Sequence, residues 1–437
     1  MKKLISTAAL FASLSLSFSQ SYTSYFSGNE NDTITNPEGG ICLMGGATED
    51  DEAMKWFLDR AEGGDVLVLR ASGSDGYNEY FLNDLGIEIN SVETIVCHDA
   101  SSGSEPYIVD KINKAEAIWF AGGNQWNYVD FWRGTPVNDA INSAIKNRNI
   151  VIGGTSAGMA IQGDFYFSAE NGTVTSDEAL ENPFNQYVTV DSTKFIANEY
   201  LQHTITDSHF DNPDRKGRLM VFLARIYHDY GTEGKAIAID EYTAVCINSS
   251  GIARVYGGYP SFDDNAYFIQ LNCENEDMSP ENIVAGEPLT WNKNSDALKI
   301  YNIKGTPSAN NSFDLNDWEN GVGGTWQNWS ANQGELTVED GEPLNCSSLN
   351  TDEIVQTKNV LLYPNPVSDL VYLNFLNTKY EANKIVVLNN LGQQVLIQTC
   401  DDSQLTSMNL AHLSSGVYTL QIWNSSKNIE NLRIVKD

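Results

Sequence analysis

The sequence is poor in basic residues and in histidine. Its 437 residues include 26 Lys and Arg against 58 Asp and Glu, which gives a formal net charge of −32, and there are five His. Phosphate backbones and anionic membranes repel so acidic a chain, so the composition argues against nucleic-acid binding and against a polybasic membrane anchor. The same charge fits solubility outside the cell or attraction of a cationic substrate.

Long apolar runs are absent after the N-terminus. No segment beyond residue 20 has 18 consecutive apolar residues, so the sequence predicts no membrane-spanning helix. The N-terminus itself joins Met1-Lys2-Lys3 to a short apolar stretch that ends in small residues. This pattern is typical of a secretory signal peptide, and we predict that residues 1–19 are removed and that the mature protein is exported.

The six cysteines lack the spacing of a metal site, since no CxxC pair occurs among them. Cys42 and Cys246 lie within strand-like apolar runs, where a buried free thiol is expected. The exported setting also allows a disulfide between Cys273 and Cys346. The sequence therefore predicts no metal site.

Short apolar runs alternate with longer amphipathic runs between about residues 38 and 257. This alternation predicts an α/β fold with a mostly parallel sheet covered by helices on both faces, in which active sites collect at the carboxyl ends of the strands. The predicted strands are 40–44, 66–69, 94–97, 117–120 and 150–152, and two of the predicted helices are 50–61 and 135–146.

The pattern changes twice after this core. Residues 258–340 alternate in short runs with Gly, Asn and Asp turns and several tryptophans, which predicts a β-rich extension of one domain spanning 20–340. A separate carbohydrate-binding module is the alternative. The polar residues 341–359 are predicted to be a linker, and 360–437 a small all-β sandwich.

A serine framed by small residues separates an apolar strand from a helix-like segment. The sequence Gly154-Thr155-Ser156-Ala157-Gly158 follows the strand predicted at 150–152. This pattern is typical of a nucleophile elbow, in which the flanking glycines tolerate a strained serine and leave its hydroxyl exposed above the sheet. The next helix offers N–H groups to a developing oxyanion, that of Ala157 among them. A simple glycine-rich turn is the alternative.

A serine nucleophile needs a base within hydrogen-bond reach and an acid that orients the base. Of the five histidines, His412 lies in the C-terminal segment and His228 in a helix-like run over 216–230. Among the other three we favour His209, because it follows an apolar run and directly precedes a helix. His203 is the reserve candidate.

Two carboxylates, Asp240 and Glu241, end the apolar run 237–239, and either is placed to orient the base or to be a solvated turn residue. The resulting order of serine, histidine and acid differs from that of α/β-hydrolases, which argues against a lipase or esterase. Two glycines end the strand at 117–120. The N–H of Gly123 is the candidate second oxyanion donor and Gln125 the candidate for a polar group of the substrate, with turn glycines as the alternative.

Four motifs occur in the order Gly-Gly-Asn-Gln, Gly-Thr-Ser-Ala-Gly, Asp-x-His-Phe and Ile-Asp-Glu-x-Thr-Ala. Together they resemble the cyanophycinase and aspartyl-dipeptidase family of serine peptidases, whose fold is similar to that of class I glutamine amidotransferases, over about residues 38–257. The resemblance implies that Ser156 is the nucleophile, His209 the base and Glu241 the orienting acid.

The resemblance also implies a substrate pocket that includes Gln125 and Asp207. Arg215 and Arg218 fall at spacings after the histidine where cyanophycinases carry arginines, which implies that they hold a substrate carboxylate. A solvated helix face is the alternative for this arginine pair.

Two departures from the family pattern bear on specificity. Ser208 and Pro213 stand where cyanophycin-degrading enzymes resemble one another in having Gln and Arg. Losing a planar donor set and a charge should change which group the pocket accepts. The fold and the triad are therefore expected to transfer better than cyanophycin specificity.

The C-terminal segment resembles the type A C-terminal sorting domain of the type IX secretion system of Bacteroidetes. The likeness covers about 75 residues and rests on a Tyr-Pro-Asn-Pro opening at Tyr363, Leu391-Gly392-Gln393, Gly416-Val417-Tyr418 and Ile434-Val435-Lys436. It implies that the type IX machinery is a partner and that the protein is secreted or displayed at the cell surface.

These observations predict an exported serine exopeptidase that hydrolyses a peptide or β-aspartyl (isopeptide) amide through an acyl-enzyme on Ser156, without metal or cofactor. Its partner would be a peptide or cyanophycin-like substrate, and a homodimer is left open. The alternatives are a catalytically idle peptide- or polymer-binding protein on the same scaffold, and an amidase for a small non-peptide substrate.

Overall fold

The computed structural model describes residues 20–192, 195–344, 346, 360–363, 367, 369–375, 384–389, 393–399, 405–424 and 427–436. The predicted signal peptide and most of the predicted linker lie outside these residues. The chain divides into two compact units, residues 1–346 and 347–437. No helix in the described ranges is long and apolar enough to cross a membrane.

The first unit alternates strands and helices. Its strands are β1 Tyr22–Gly28, β2 Gly40–Met44, β3 Asp65–Arg70, β4 Ser91–Cys97, β5 Ala117–Phe120, β6 Val151–Thr155, β7 Tyr166–Phe167, β8 Val190–Asp191, β9 Thr204–Asp207, β10 Lys235–Ile239, β11 Ala244–Asn248, β12 Ile252–Tyr256, β13 Asn265–Leu271, β14 Leu298–Lys304, β15 Ser312–Asp314, β16 Gly321–Val322, β17 Gly324–Asn332 and β18 Glu335–Asp340. Its α-helices are α1 Asp51–Asp59, α2 Gly76–Glu79, α3 Pro106–Lys114, α4 Gln125–Trp132, α5 Pro136–Arg148, α6 Ala157–Ala160, α7 Ser176–Glu181 and α8 Lys216–Tyr230. A π-helical turn follows at Tyr80–Asp84, and 3₁₀ turns lie at Ala100–Ser104 and Glu199–Leu201.

A ten-stranded sheet in the order β1-β4-β3-β5-β6-β2-β11-β12-β15-β16 forms the centre of this unit. Its five inner strands β4, β3, β5, β6 and β2 run parallel to one another. A second sheet has the order β18-β17-β14-β13-β10-β9, in which β9 and β10 are parallel. The α/β prediction is confirmed, and each of the five predicted strands and both predicted helices is present.

Both faces of the inner strands β2, β3 and β5 are buried, which explains why these strands are almost entirely apolar. In β3, Leu67 and Leu69 pack on one face with Ile118. Val66 and Val68 point to the other face, where they belong to a second core cluster. Because neither face meets water, no polar residue alternates with the apolar ones. The parallel strands therefore bring several loops to one carboxyl edge.

The segment predicted as a β-rich extension is part of the first unit, because β13 pairs with β10 and continues the second sheet. Its tryptophans Trp291, Trp318 and Trp329 are buried, and Trp326 packs partly buried against the same unit's core. Buried indole rings stabilise the core and cannot grip a polymer, so the alternative of a separate carbohydrate-binding module does not fit. Cys273 and Cys346 form a disulfide within this unit.

The cysteines predicted as buried free thiols, Cys42 and Cys246, are free and buried. They lie opposite each other on the paired strands β2 and β11. Cys97 is also free and buried, and Cys400 lies outside the described residues.

The second unit is all β. Its strands are β19 Val360–Tyr363, β20 Leu370–Phe375, β21 Lys384–Leu388, β22 Gln394–Thr399, β23 Leu405–Asn409, β24 Gly416–Asn424 and β25 Lys427–Lys436. They form sheets of three and four strands that share one small core, to which Val371 and Leu420 contribute from opposite sheets. Residues 364–366 of the opening motif and Leu391-Gly392 lie outside the described residues.

Candidate active site

Ser156 occupies a strained turn between β6 and the four-residue helix α6. Its φ of 53° and ψ of −114° lie where residues with a side chain are rarely found. A side chain at Gly158 would collide with the carbonyl of Phe120, and one at Gly154 would meet the backbone of Gly158 at 2.5 Å. The small residues on both sides therefore permit the turn, and the serine backbone N–H is anchored by the carbonyl oxygen of Met44 at 3.1 Å.

The structure brings Ser156, His209 and Glu241 together in one hydrogen-bonded chain. His209 Nε2 lies 2.8 Å from Ser156 Oγ, and His209 Nδ1 lies 2.6 Å from Glu241 Oε1. Because the carboxylate accepts, Nδ1 carries the proton, so Nε2 accepts from the serine hydroxyl. The histidine and glutamate side chains are 24% and 17% exposed, so a substrate can reach the site while the hydrogen bond between them is partly shielded from water.

The sheet topology explains why these side chains lie close together. His209 follows the end of β9 and Glu241 follows the end of β10, and these two strands are parallel neighbours. The reserve candidate His203 instead precedes β9, at the opposite end of the strand. Its backbone N–H donates to Asp164 Oδ2 at 3.1 Å. The structure therefore does not bring His203 to Ser156.

Asp211 and Asn212, which follow His209 in the chain, hold Glu241 by hydrogen bonds. Sequence reasoning did not identify them. Asn212 Nδ2 donates to Glu241 Oε2 at 3.2 Å, and the Glu241 backbone N–H donates to Asp211 Oδ1 at 2.9 Å. The hydrogen bond with His209 lowers the pKa of Glu241, and the hydrogen bond from Asn212 lowers it further. Glu241 is thus held as a carboxylate. The only sequence signal for this role was the occurrence of two polar residues, Asp211 and Asn212, between the histidine and the next helix.

Asp240, the other candidate acid, points away from His209 into the protein. It is 3% exposed, and its Oδ2 accepts from Asn265 Nδ2 at 2.9 Å. Its Oδ1 has no hydrogen-bond partner among the residues that the structure describes. Burial raises the pKa of Asp240 to about 7. Neighbouring residues at a strand end face opposite directions, so only one of the two carboxylates reaches the imidazole.

Asp240→Asn should reduce the loss of stability that the protein suffers as pH rises. In the unfolded chain the carboxyl loses its proton near its ordinary pKa of 3.8, but in the folded protein near 7. Between these values the folded state holds the extra proton, so raising the pH favours unfolding. Between pH 5 and pH 9 the ionisation of this carboxyl lowers the free energy of unfolding by up to about 3 kcal/mol. An amide does not ionise, so the Asp240→Asn variant should not show this part of the loss. Urea unfolding at both pH values measures the difference, and equal losses in the two proteins would contradict it.

Comparison with known proteins identifies both units. Residues 51–255 match the model of peptidase family S51. The S51 match includes all three residues of the hydrogen-bonded chain. This part of the protein is similar to the S51 peptidases. Residues 361–436 match the model of the secretion system C-terminal sorting domain. The predictions of a serine-type peptidase and of a type IX sorting domain are confirmed, and the signal peptide stays a prediction.

This part of the chain is also similar to cyanophycinases. It is 24% identical to the enzyme of Geminocystis herdmanii over 50% of this chain and 77% of that protein. It is 23% identical to that of Synechococcus elongatus over 50% and 66%. It is 24% identical to that of a Nostoc species over 47% and 61%, so less than two thirds of the latter two relatives is covered.

Two solved structures are also similar. A peptidase from an acI-B1 actinobacterium has 17% identity and a TM-score of 0.38, over 51% of this chain and 89% of that chain. A putative peptidase E protein from Listeria monocytogenes has 17% identity and a TM-score of 0.33, over 51% and 99%.

The two predicted oxyanion donors lie on segments that border the serine. Ala157 directly follows Ser156 and begins α6. Gly123 has a φ of +148°, and its neighbour Gly122 lies so close that a Cβ there would be 3.6 Å from Ser156 Cβ. Gln125 begins α4, and its Nε2 donates to the carbonyl of Phe167 at 3.3 Å. The loop 121–125 therefore lies beside the nucleophile, as predicted.

Asp207 and Arg218, both predicted to bind substrate, are buried against each other. Each is 3% exposed, and Arg218 Nε donates to Asp207 Oδ2 at 2.9 Å while Nη2 donates to Oδ1. Arg218 also donates to Thr173 and to the carbonyl of Val174. The two charges neutralise each other below the surface, and their assignment to substrate binding stays a prediction. The ion pair joins α8 to the end of β9, two residues before His209.

Arg215 remains as a cation near the site. Its side chain is 20% exposed and lies 3.9 Å from Asp207 Oδ1. Its Nη1 donates to the carbonyl of Ser208, while Nε has no partner among the described residues. Burial lowers the pKa of Arg215, and the neighbouring cation of Arg218 lowers it further. An incompletely satisfied guanidinium beside the triad is suited to receive an anionic group.

Proposed function

We propose that the protein is an exported exopeptidase that hydrolyses a peptide or β-aspartyl amide through an acyl-enzyme on Ser156. The observation that carries the proposal is the continuous chain of hydrogen bonds from the serine hydroxyl through His209 to Glu241. The match of residues 51–255 to a peptidase family supports the reaction class. Amide cleavage is the chemistry that such a serine, base and acid perform.

In the first step His209 Nε2 accepts the proton of Ser156 Oγ as the oxygen forms a bond to the amide carbon. The imidazolium that results is stabilised by Glu241. We assign the N–H groups of Gly123 and Ala157 to the oxyanion, where each donor is typically worth about 3 kcal/mol of barrier. The C–N bond then breaks, and the amine leaves with the proton that His209 returns.

In the second step a water molecule attacks the acyl-enzyme ester. His209 accepts a proton from the water, a hydroxyl adds to the carbonyl carbon, and the bond to Ser156 Oγ breaks with return of the proton to the serine. The products are a free carboxylate and the regenerated hydroxyl. The three side chains supply every proton transfer that this cycle needs.

We assign Arg215 to a substrate carboxylate and Gln125 to a polar group of the substrate. Arg215 is the arginine of the predicted pair whose charge is not consumed by a buried partner. Its neighbours Ser208 and Pro213 replace the Gln and Arg of cyanophycin-degrading enzymes, so this pocket lacks a charge that those enzymes share. We therefore expect a substrate other than intact cyanophycin.

We propose that the reaction takes place outside the cell. The match over residues 361–436 indicates export by the type IX system to the cell surface or the medium. We propose that residues 1–19 direct the earlier passage across the inner membrane.

The experiment uses the exported protein and a serine-directed phosphonate. We expect stoichiometric modification at Ser156, located by mass spectrometry, and hydrolysis within a panel of β-Asp and α-Asp dipeptides, cyanophycin and small amides. Dipeptides with an amidated carboxylate should be cleaved more slowly if Arg215 binds that group. An unmodified Ser156 would contradict the enzyme and favour an idle binding protein. Cleavage confined to small amides would favour the amidase.

A further inference from the structure

The end of β2 contacts all three segments of the triad. Met44 accepts a hydrogen bond from the backbone N–H of Ser156 at 3.1 Å. The carbonyl oxygen of Gly45 accepts from the N–H of His209 at 2.7 Å. The carbonyl oxygen of Gly46 accepts from the N–H of Tyr242, next to Glu241, at 3.1 Å. Three consecutive residues thus fix the backbone positions from which the nucleophile, the base and the acid project.

Gly46 is the member of this segment that lies against the imidazole. A Cβ built on Gly46 would overlap Cε1 and Nε2 of His209 and lie 3.0 Å from Cδ2, so the ring rests directly on the glycine backbone. Gly46 is buried, and its φ of +115° is one that side-chain-bearing residues rarely adopt. Nε2, one of the two ring atoms nearest to this surface, is the atom that accepts the serine proton in the proposed mechanism.

We propose that Gly46 is a positioning residue that sets the distance between His209 Nε2 and Ser156 Oγ, a role that rests on the proposed serine mechanism. The imidazole is held from one side by Glu241 through Nδ1 and from its face by the bare backbone of Gly46. With any side chain at position 46 the ring must move away, although all three triad residues are still present. A shift of about 1 Å in such a group lowers the rate about 100-fold.

A matched control separates this contact from backbone strain. Gly172 has a φ of +109°, close to that of Gly46, but a Cβ there meets only the ring of Tyr187 at an ordinary 3.7 Å. Gly172→Ala therefore introduces a comparable conformational cost without a contact to the imidazole. Differences between Gly46→Ala and Gly172→Ala report the contact with His209.

The first measurement is the rate of phosphonate labelling at Ser156. We expect Gly46→Ala to lower the rate constant at least about 100-fold and Gly172→Ala to leave it within about twofold. In a His209→Ala background, adding Gly46→Ala should cause no further loss, because the ring it displaces is gone. Labelling of Gly46→Ala at the wild-type rate, or an equal loss in both backgrounds, would overturn the proposal.

The second measurement is the midpoint of urea unfolding, which does not depend on activity. Gly46→Ala should lower the midpoint more than Gly172→Ala in the wild type, and by the same amount as Gly172→Ala once His209 is alanine. If Gly46→Ala does not fold, the double variant with His209→Ala should fold; failure of both would overturn the proposal. Absence of labelling in the wild type would instead contradict the peptidase function, while the unfolding midpoints would still decide the Gly46–His209 contact.

Discussion

Ser156→Ala is expected to lower turnover by about 10⁴- to 10⁶-fold while the protein stays folded. The substitution removes one oxygen, which is the nucleophile of the proposed reaction and the partner of His209 Nε2. Alanine adopts the positive φ of position 156 at a cost similar to that for serine, so stability should change little. Steady-state hydrolysis and circular dichroism measure the two effects.

The control is Ser143→Ala, which removes a hydroxyl from the exposed face of α5, where the serine accepts a hydrogen bond from Asn147. We expect it to keep wild-type turnover. Turnover of Ser156→Ala at the wild-type rate would refute the acyl-enzyme. A large fall in its unfolding midpoint would show that the serine acts on the fold instead.

Asp207→Ala is expected to lower the free energy of unfolding by about 3–5 kcal/mol. Its carboxylate is the partner of Arg218, and both residues are 3% exposed. Removing the acid leaves a guanidinium in the core without a countercharge, which costs far more than the pair itself contributes. Urea unfolding at neutral pH measures the loss.

An exposed pair provides the comparison. Asp110 and Lys114 are 52% and 46% exposed in their side chains, and Asp110→Ala should cost at most about 1 kcal/mol. Replacing both buried residues, with Asp207→Asn and Arg218→Met, should recover part of the stability lost by Asp207→Ala. A loss below about 1 kcal/mol in Asp207→Ala would mean that water reaches Arg218 in solution.

The parallel core could be predicted because its strands are buried on both faces. The runs at 40–44 and 117–120 lack the alternation of polar and apolar residues that a sheet with one solvated face shows, and helical runs separate them. The pairing of Ser156 with His209 could also be predicted, because the sequence has few histidines. Strand order, in contrast, depends on contacts between distant segments, which one sequence does not contain.

The remaining features of the site depend on the direction in which a side chain points. Asp240 and Glu241 are adjacent acids after the same strand, yet one is buried beside Asn265 and the other bonds His209. Spacing after the histidine suggested two substrate arginines, but Arg218 turns inward to Asp207. The proposed role of Gly46 could not be predicted from the sequence, because glycine carries no reactive group. It contributes by having no side chain next to the imidazole ring of His209.

The pairing of β10 with β13 makes the catalytic apparatus larger than the family match. Ser156 belongs to the ten-stranded sheet, whereas His209 and Glu241 follow strands of the six-stranded sheet, four of whose strands come from beyond residue 257. A chain cut at residue 257 would retain the triad and the whole match, but β10 would become an unprotected sheet edge that invites aggregation. The smallest segment that keeps both sheets whole therefore extends through β18. Transfer of a segment that ends at residue 257 between proteins would separate the base from the strands that support it.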